Sequence, residues 1–153
     1  MEKPVYYTSK SHRANYKRLL AKNNNKSPEI IAVCYILAGL GTLEETSQAD
    51  RFGANAEISY EINITESKEP IDVIEKYVED SKIDFNAILE FAGSNLPYRA
   101  LIKLAANLYD SNNYANVNST FSPLNDEYQA IAYQALLIIY PSFSKSFEGR
   151  YYR

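Results

Sequence analysis

Two side chains of this 153-residue chain, the single His12 and the single Cys34, belong to the types that most readily serve as general base and thiol nucleophile near neutral pH. A His-Cys pair is therefore formally available. Cys34 lies in the apolar run 30–40, where a buried structural thiol is expected, because a thiol in apolar surroundings stays protonated and inert. At 100° per residue His12 shares a helical face with Tyr16, Leu19 and Leu20, so a packed, hydrogen-bonded ring is expected. An enzyme using His12 with a carboxylate or Tyr16 is kept as an alternative reading. One His and one Cys exclude the usual zinc sets, which draw four ligands chiefly from those residues, and neither a metal nor a cofactor is expected. Gly39-Leu40-Gly41 is the only G-x-G, but Glu44 stands where a dinucleotide fingerprint needs its third glycine. No serine lies in a G-x-S-x-G elbow. No catalytic set is assigned.

Charge carries more information. Residues 1–26 hold seven basic side chains against Glu2, a balance of +6, and residues 27–92 hold fourteen acids against four bases, a balance of -10. The remainder comes to 5 - 4 = +1, which gives the net charge of -3. Such segregation bears on partners. Asp72, Glu75, Glu79 and Asp80, with Lys76 four residues from Asp72 and from Asp80, have the spacing of solvated helix pairs. Taken with Glu57, Glu61, Glu66, Glu69 and Asp84, they would instead form an acidic surface able to oppose a basic groove, as suits an inhibitor of a nucleic-acid-binding protein. Glu57, Glu61, Glu75 and Glu79 are the partner-binding candidates. The alternative is direct nucleic-acid binding through Lys10, Arg13, Lys17 and Arg18. A third outcome is that the basic helix docks on the chain's own acidic segment.

These residues need elements to position them. Ser9 or Ser11 can cap a helix to about Lys22, with Lys10, Arg13, Lys17, Arg18 and Lys22 opposite its apolar face. Ser27-Pro28-Glu29 is a helix start and Gly39 a stop; apolar nearly all round, this second helix should be central. Residues 42–52 could form a short exposed helix, and 56–64 alternate as a strand or extended segment. Further helices are expected over 70–80, over 85–92 after Asp84, over 97–109, and from Asn125 to Tyr140, where Pro141 ends the last. The expectation is an all-α, single-domain chain of five to seven helices. Its core should come from the helices near Pro28, Pro97 and Asp126, with residues 142–153 a possible flexible tail. Apolar runs fall short of a membrane span, no secretory leader is apparent, and one cysteine allows no internal disulfide, so a cytoplasmic setting is expected.

Three stretches together resemble an uncharacterised family of small proteins of Gram-positive bacteria, their phages and mobile elements. They are Tyr7-x-Ser9-x-x-His12-x-x-Asn15-Tyr16-x-x-Leu19-Leu20, then Tyr35-Ile36-Leu37-Ala38-Gly39, then Ser94-x-x-x-x-Arg99-Ala100-Leu101-x-x-Leu104-Ala105-x-Asn107-Leu108-Tyr109, followed by Leu124-Asn125-Asp126. The chain departs from the pattern at Leu40-Gly41, and residues 44–84 fall outside it. The resemblance implies one coherent domain in a mobile-element setting and no mechanism, with His12, Asn15 and Tyr16 as a motif of unassigned role. The functional expectation is a nonenzymatic accessory protein acting by binding a macromolecular partner, expected to be a protein.

Overall fold

Short polar side chains open most of the helices. The structure, a computed structural model, describes residues 5–43 and 69–142. Ser9 accepts from the His12 N–H to start α1 (Lys10–Ala21), and Ser27 accepts from Ile30 to start α2 (Pro28–Ala38). After α3 (Pro70–Ile74), Asp84, Asn95, Asn116 and Asn125 cap α4 (Phe85–Ala92), α5 (Leu96–Tyr109), α6 (Val117–Phe121) and α7 (Asp126–Ile139) in the same way. Each such cap stabilises its helix by about 1 kcal/mol, and together they fix where α1, α2, α4, α5, α6 and α7 begin.

The fold is mainly α. Among the described residues there are seven α-helices and one two-stranded hairpin. Apolar on every side, α2 lies at the centre and packs against α1, α5 and α7; residues 32–40 are all buried. Leu101, Ile102 and Ala105 of α5 and Ile131, Ala132 and Ala135 of α7 close over it. Gly41 follows at φ +72, where a Cβ would stand 2.6 Å from Cγ of Pro70, so the turn after α2 can seat the start of α3 only with glycine. No described helix is long and apolar enough to cross a membrane.

The expected helix over 70–80 is cut short. It ends at Ile74, passes through a 3₁₀ turn (Glu75–Tyr77) and gives way to β1 (Val78–Glu79) and β2 (Lys82–Ile83), antiparallel with Val78 opposite Ile83. The loop residues Asp80 and Ser81 have φ of 44° and 69°, as a primed two-residue hairpin turn requires. The cause is tertiary. The Asp80 N–H, which a continuing helix would direct at Lys76, donates to the Lys22 carbonyl at 3.1 Å. Asn23 Oδ1 accepts from the Ser81 N–H at 2.6 Å, and the Asp80 carboxylate accepts from the Asn24 N–H at 3.2 Å. The end of α1 thus captures the backbone and bends it into a hairpin. Helix α6 is an addition to the expected set. The expected strand at 56–64, Glu57, Glu61, residues 44–52 of the expected short helix, and residues 143–153 of the tail lie outside the described residues.

Candidate functional site

The motif residues of α1 converge on the C-terminus of α2. The last four carbonyls of a helix have no partner within it, and here burial removes water as a substitute. The Ile36 and Leu37 carbonyls accept from the N–H groups of Gly39 at 3.0 Å and Leu40 at 3.3 Å. The other two are met from α1: His12 Nε2 reaches the Tyr35 carbonyl at 2.8 Å, and Asn15 Nδ2 donates to Ala38 at 3.3 Å. At the other side of the His12 ring the Thr8 N–H donates to Nδ1 at 3.2 Å, which makes Nε2 the protonated nitrogen. Thr42 spends its hydroxyl proton on the Gly39 carbonyl at 2.6 Å, so Thr8 donates to Thr42 across the other 2.6 Å contact.

Rings complete the cluster. Tyr7 stands edge-on to His12 with centroids 5.3 Å apart, and Tyr35 lies 4.7 Å from the same ring, with Tyr16 beyond it. The Tyr35 hydroxyl donates to the Tyr6 carbonyl at 2.6 Å. His12 is fully buried, and burial, partly opposed by the Tyr35 carbonyl, lowers its pKa below 6.5. Burial pushes the Tyr16 phenol up to about 12, with Tyr7 and Cys34 adding to it. Both nitrogens of the only histidine are therefore engaged, Nε2 in joining α1 to α2 and Nδ1 in holding the segment that leads into α1. Cys34 is equally enclosed, with Asn23 Nδ2 at 3.5 Å from its sulfur, and burial raises its pKa to about 11. A thiol so placed is protonated at neutral pH and is a poor nucleophile.

The charged candidates meet in part. Arg18 Nε donates to Glu75 at 2.8 Å, and Nη2 donates both to Glu75 at 2.5 Å and to Asp72 at 3.4 Å. Arg18 holds the Glu75 carboxylate below its ordinary range, chiefly by the hydrogen bond. Lys22 Nζ donates to the Glu75 carbonyl. One member of the basic set and one of the acidic set are thus turned toward each other within the chain. These are the only ion pairs among the described residues. Lys10, Arg13 and Lys17 are left exposed on one arc of α1, beside the exposed, small Ala14 and Ala21. Glu79 is exposed on β1, beside a hollow of about 670 Å³ whose charges are mixed: Lys76 and Lys82 against Glu79, Asp80 and Asp84. Among the described residues no group of three or more His, Cys, Asp or Glu is placed to hold a metal ion.

A second surface escaped sequence reading. Between α5 and α6 runs a groove of about 610 Å³ lined by Leu96, Arg99, Lys103, Tyr114, Asn116 and Ser119 among others, with no carboxylate in its wall. Tyr114 is 80% exposed. No periodicity marks it, because Tyr114 sits in a loop whose shape depends on contacts to α5 and α6.

No protein-family model, curated protein or solved structure matches the chain.

Proposed function

We propose that this chain is a nonenzymatic binding protein, a cytoplasmic accessory protein of a phage or mobile element, that meets a polyanionic macromolecule through the outer face of α1. The mobile-element setting rests on the three resembling stretches, and the cytoplasmic one on the lone, buried thiol. The contact surface rests on one observation: Lys10, Arg13 and Lys17 are exposed together with no ion pair among the described residues, whereas Arg18 is neutralised by Glu75 and Asp72. Small Ala14 and Ala21 on the same arc let a phosphate backbone approach the helix closely. The burial of His12 and Cys34 supports a binding role over a catalytic one.

A second reading, a protein partner on the acidic segment, keeps Glu79 as its described candidate, since Glu75 is committed to Arg18. Binding of the full chain to a labelled oligonucleotide, titrated over salt, separates the two. The α1 reading expects a steep fall, with a slope that shrinks by roughly 2 to 3 when Lys10, Arg13 and Lys17 are all changed to Gln. Binding indifferent to salt and to those three changes would refute it, and no binding of the oligonucleotide at all would refute it and favour the acidic surface.

A further inference from the structure

We infer that the groove between α5 and α6 is a binding site for single-stranded nucleic acid, with Tyr114 as a stacking platform and Lys103, supported by Arg99, as the phosphate contact. An exposed tyrosine ring is ordinary when it moves freely, but this one is held. Asn113 donates through Nδ2 to the Ala106 carbonyl at 2.9 Å, and its own carbonyl accepts from Asn107 at 2.7 Å, pinning the loop to the end of α5. Asn116 caps α6 with its Oδ1 and donates through Nδ2 to the Tyr114 hydroxyl at 3.2 Å, so the ring is tethered by its edge while its face stays in water. Preorganising an aromatic face in this way lowers the cost of ordering it on binding.

The charges that line the groove have one sign. Lys103 is exposed without an ion pair among the described residues, and Arg99, one helical turn away on α5, spends Nη1 on the Leu89 and Gly93 carbonyls while keeping its charge at the groove. Ser119 and Asn116 add neutral polar groups, and Leu96, 65% exposed, adds an apolar edge. A cationic groove with an aromatic platform suits a chain whose bases are unpaired, since a duplex hides its base faces from a protruding ring. An acidic peptide would use the lysine but not the ring.

Fluorescence anisotropy of a labelled twelve-nucleotide single strand with the full chain tests this. Tyr114→Ala is expected to weaken binding by about tenfold, as loss of one stacked base does, and Tyr114→Phe to retain most of the affinity. Lys103→Gln should reduce the salt slope by about 0.7. Both positions are exposed, and unchanged thermal midpoints would confirm that the fold persists. Equal affinity for the duplex of the same sequence, equal competition by polyglutamate, or binding unaffected by Tyr114→Ala would each overturn the proposal. The triple α1 variant, run in parallel, keeps the two surfaces apart. Loss there alone refutes the groove, and loss in the groove variants alone upholds the groove and refutes α1.

Discussion

The backbone N–H of Thr8 points at Nδ1 of His12 across 3.2 Å, so a proton placed on that nitrogen would meet another proton. The ring is built into the fold as a neutral acceptor on one side and a donor to the Tyr35 carbonyl on the other. Removing it leaves a half-buried N–H and a buried carbonyl without partners and opens a void between α1 and α2. His12→Ala should therefore cost about 2 to 4 kcal/mol of stability, read as a lower urea midpoint with little change in slope.

Acid should act on the same residue. Because the folded-state pKa of His12 lies below 6.5, the unfolded chain takes up a proton that the folded chain refuses. Stability is full above that range and declines as pH falls through it, at up to about 1.4 kcal/mol per pH unit. The carboxylate of Glu75 is held below 4.5 by Arg18, so its contribution is lost only in stronger acid. Thermal midpoints measured from about pH 7.5 to about pH 5 should fall for the native chain and stay nearly level for His12→Gln, which has no ring to titrate.

Gly39 makes the close approach of three helices possible. A Cβ there would lie 2.7 Å from Cδ1 of Ile131 and 3.2 Å from Nε2 of His12. Gly39→Ala should destabilise by about 1 to 3 kcal/mol through overpacking. Adding Ile131→Val removes the methyl that collides, and the double variant should recover part of the loss in calorimetry. Additive losses would show that the His12 contact, rather than Ile131, sets the limit.

The hairpin turn carries strain that a single substitution can release. Ser81 has φ 69° and its buried Oγ has no hydrogen-bond partner, while its N–H and carbonyl are held by Asn23 and by the Tyr109 hydroxyl. Ser81→Gly keeps both backbone bonds and supplies the residue a primed turn favours. It is expected to stabilise the chain by about 1 kcal/mol, seen as a higher thermal midpoint.

Arg18 and Glu75 form a solvent-facing pair, Arg18 exposed and Glu75 half-buried. A double-mutant cycle with Arg18→Ala and Glu75→Ala should give a coupling that is favourable in dilute buffer and lost near about 1 M salt, where the screening length is a few ångströms. Coupling that persists in high salt would assign the contact to packing instead.

The starts of α1, α2, α4 and α7 were legible because Ser9, Ser27, Asp84 and Asn125 act through neighbours three residues away. Burial of His12 was legible from helical phase, and that of Cys34 from the apolar run around it. What escaped was decided at long range. The switch from helix to strand after Ile74 depends on Lys22 and Asn23, far away in the chain, and α6 is too short for a periodic signal. The motif His12-x-x-Asn15 showed its spacing but not its purpose, since the two carbonyls it serves belong to another helix. The division of the basic face into a neutralised Arg18 and a Lys10, Arg13 and Lys17 with no ion pair among the described residues likewise needed the place of α3.

Tyr6 joins distant parts of the chain: its carbonyl accepts from Tyr35 and its N–H donates to Gln134 at 3.0 Å, 128 positions onward. On the ribosome, the first of these bonds can close early but the second must wait until α7 has left the exit tunnel. The stretch just before α1 thus settles only after α7 has emerged, although α1 and α2 can pair well before that.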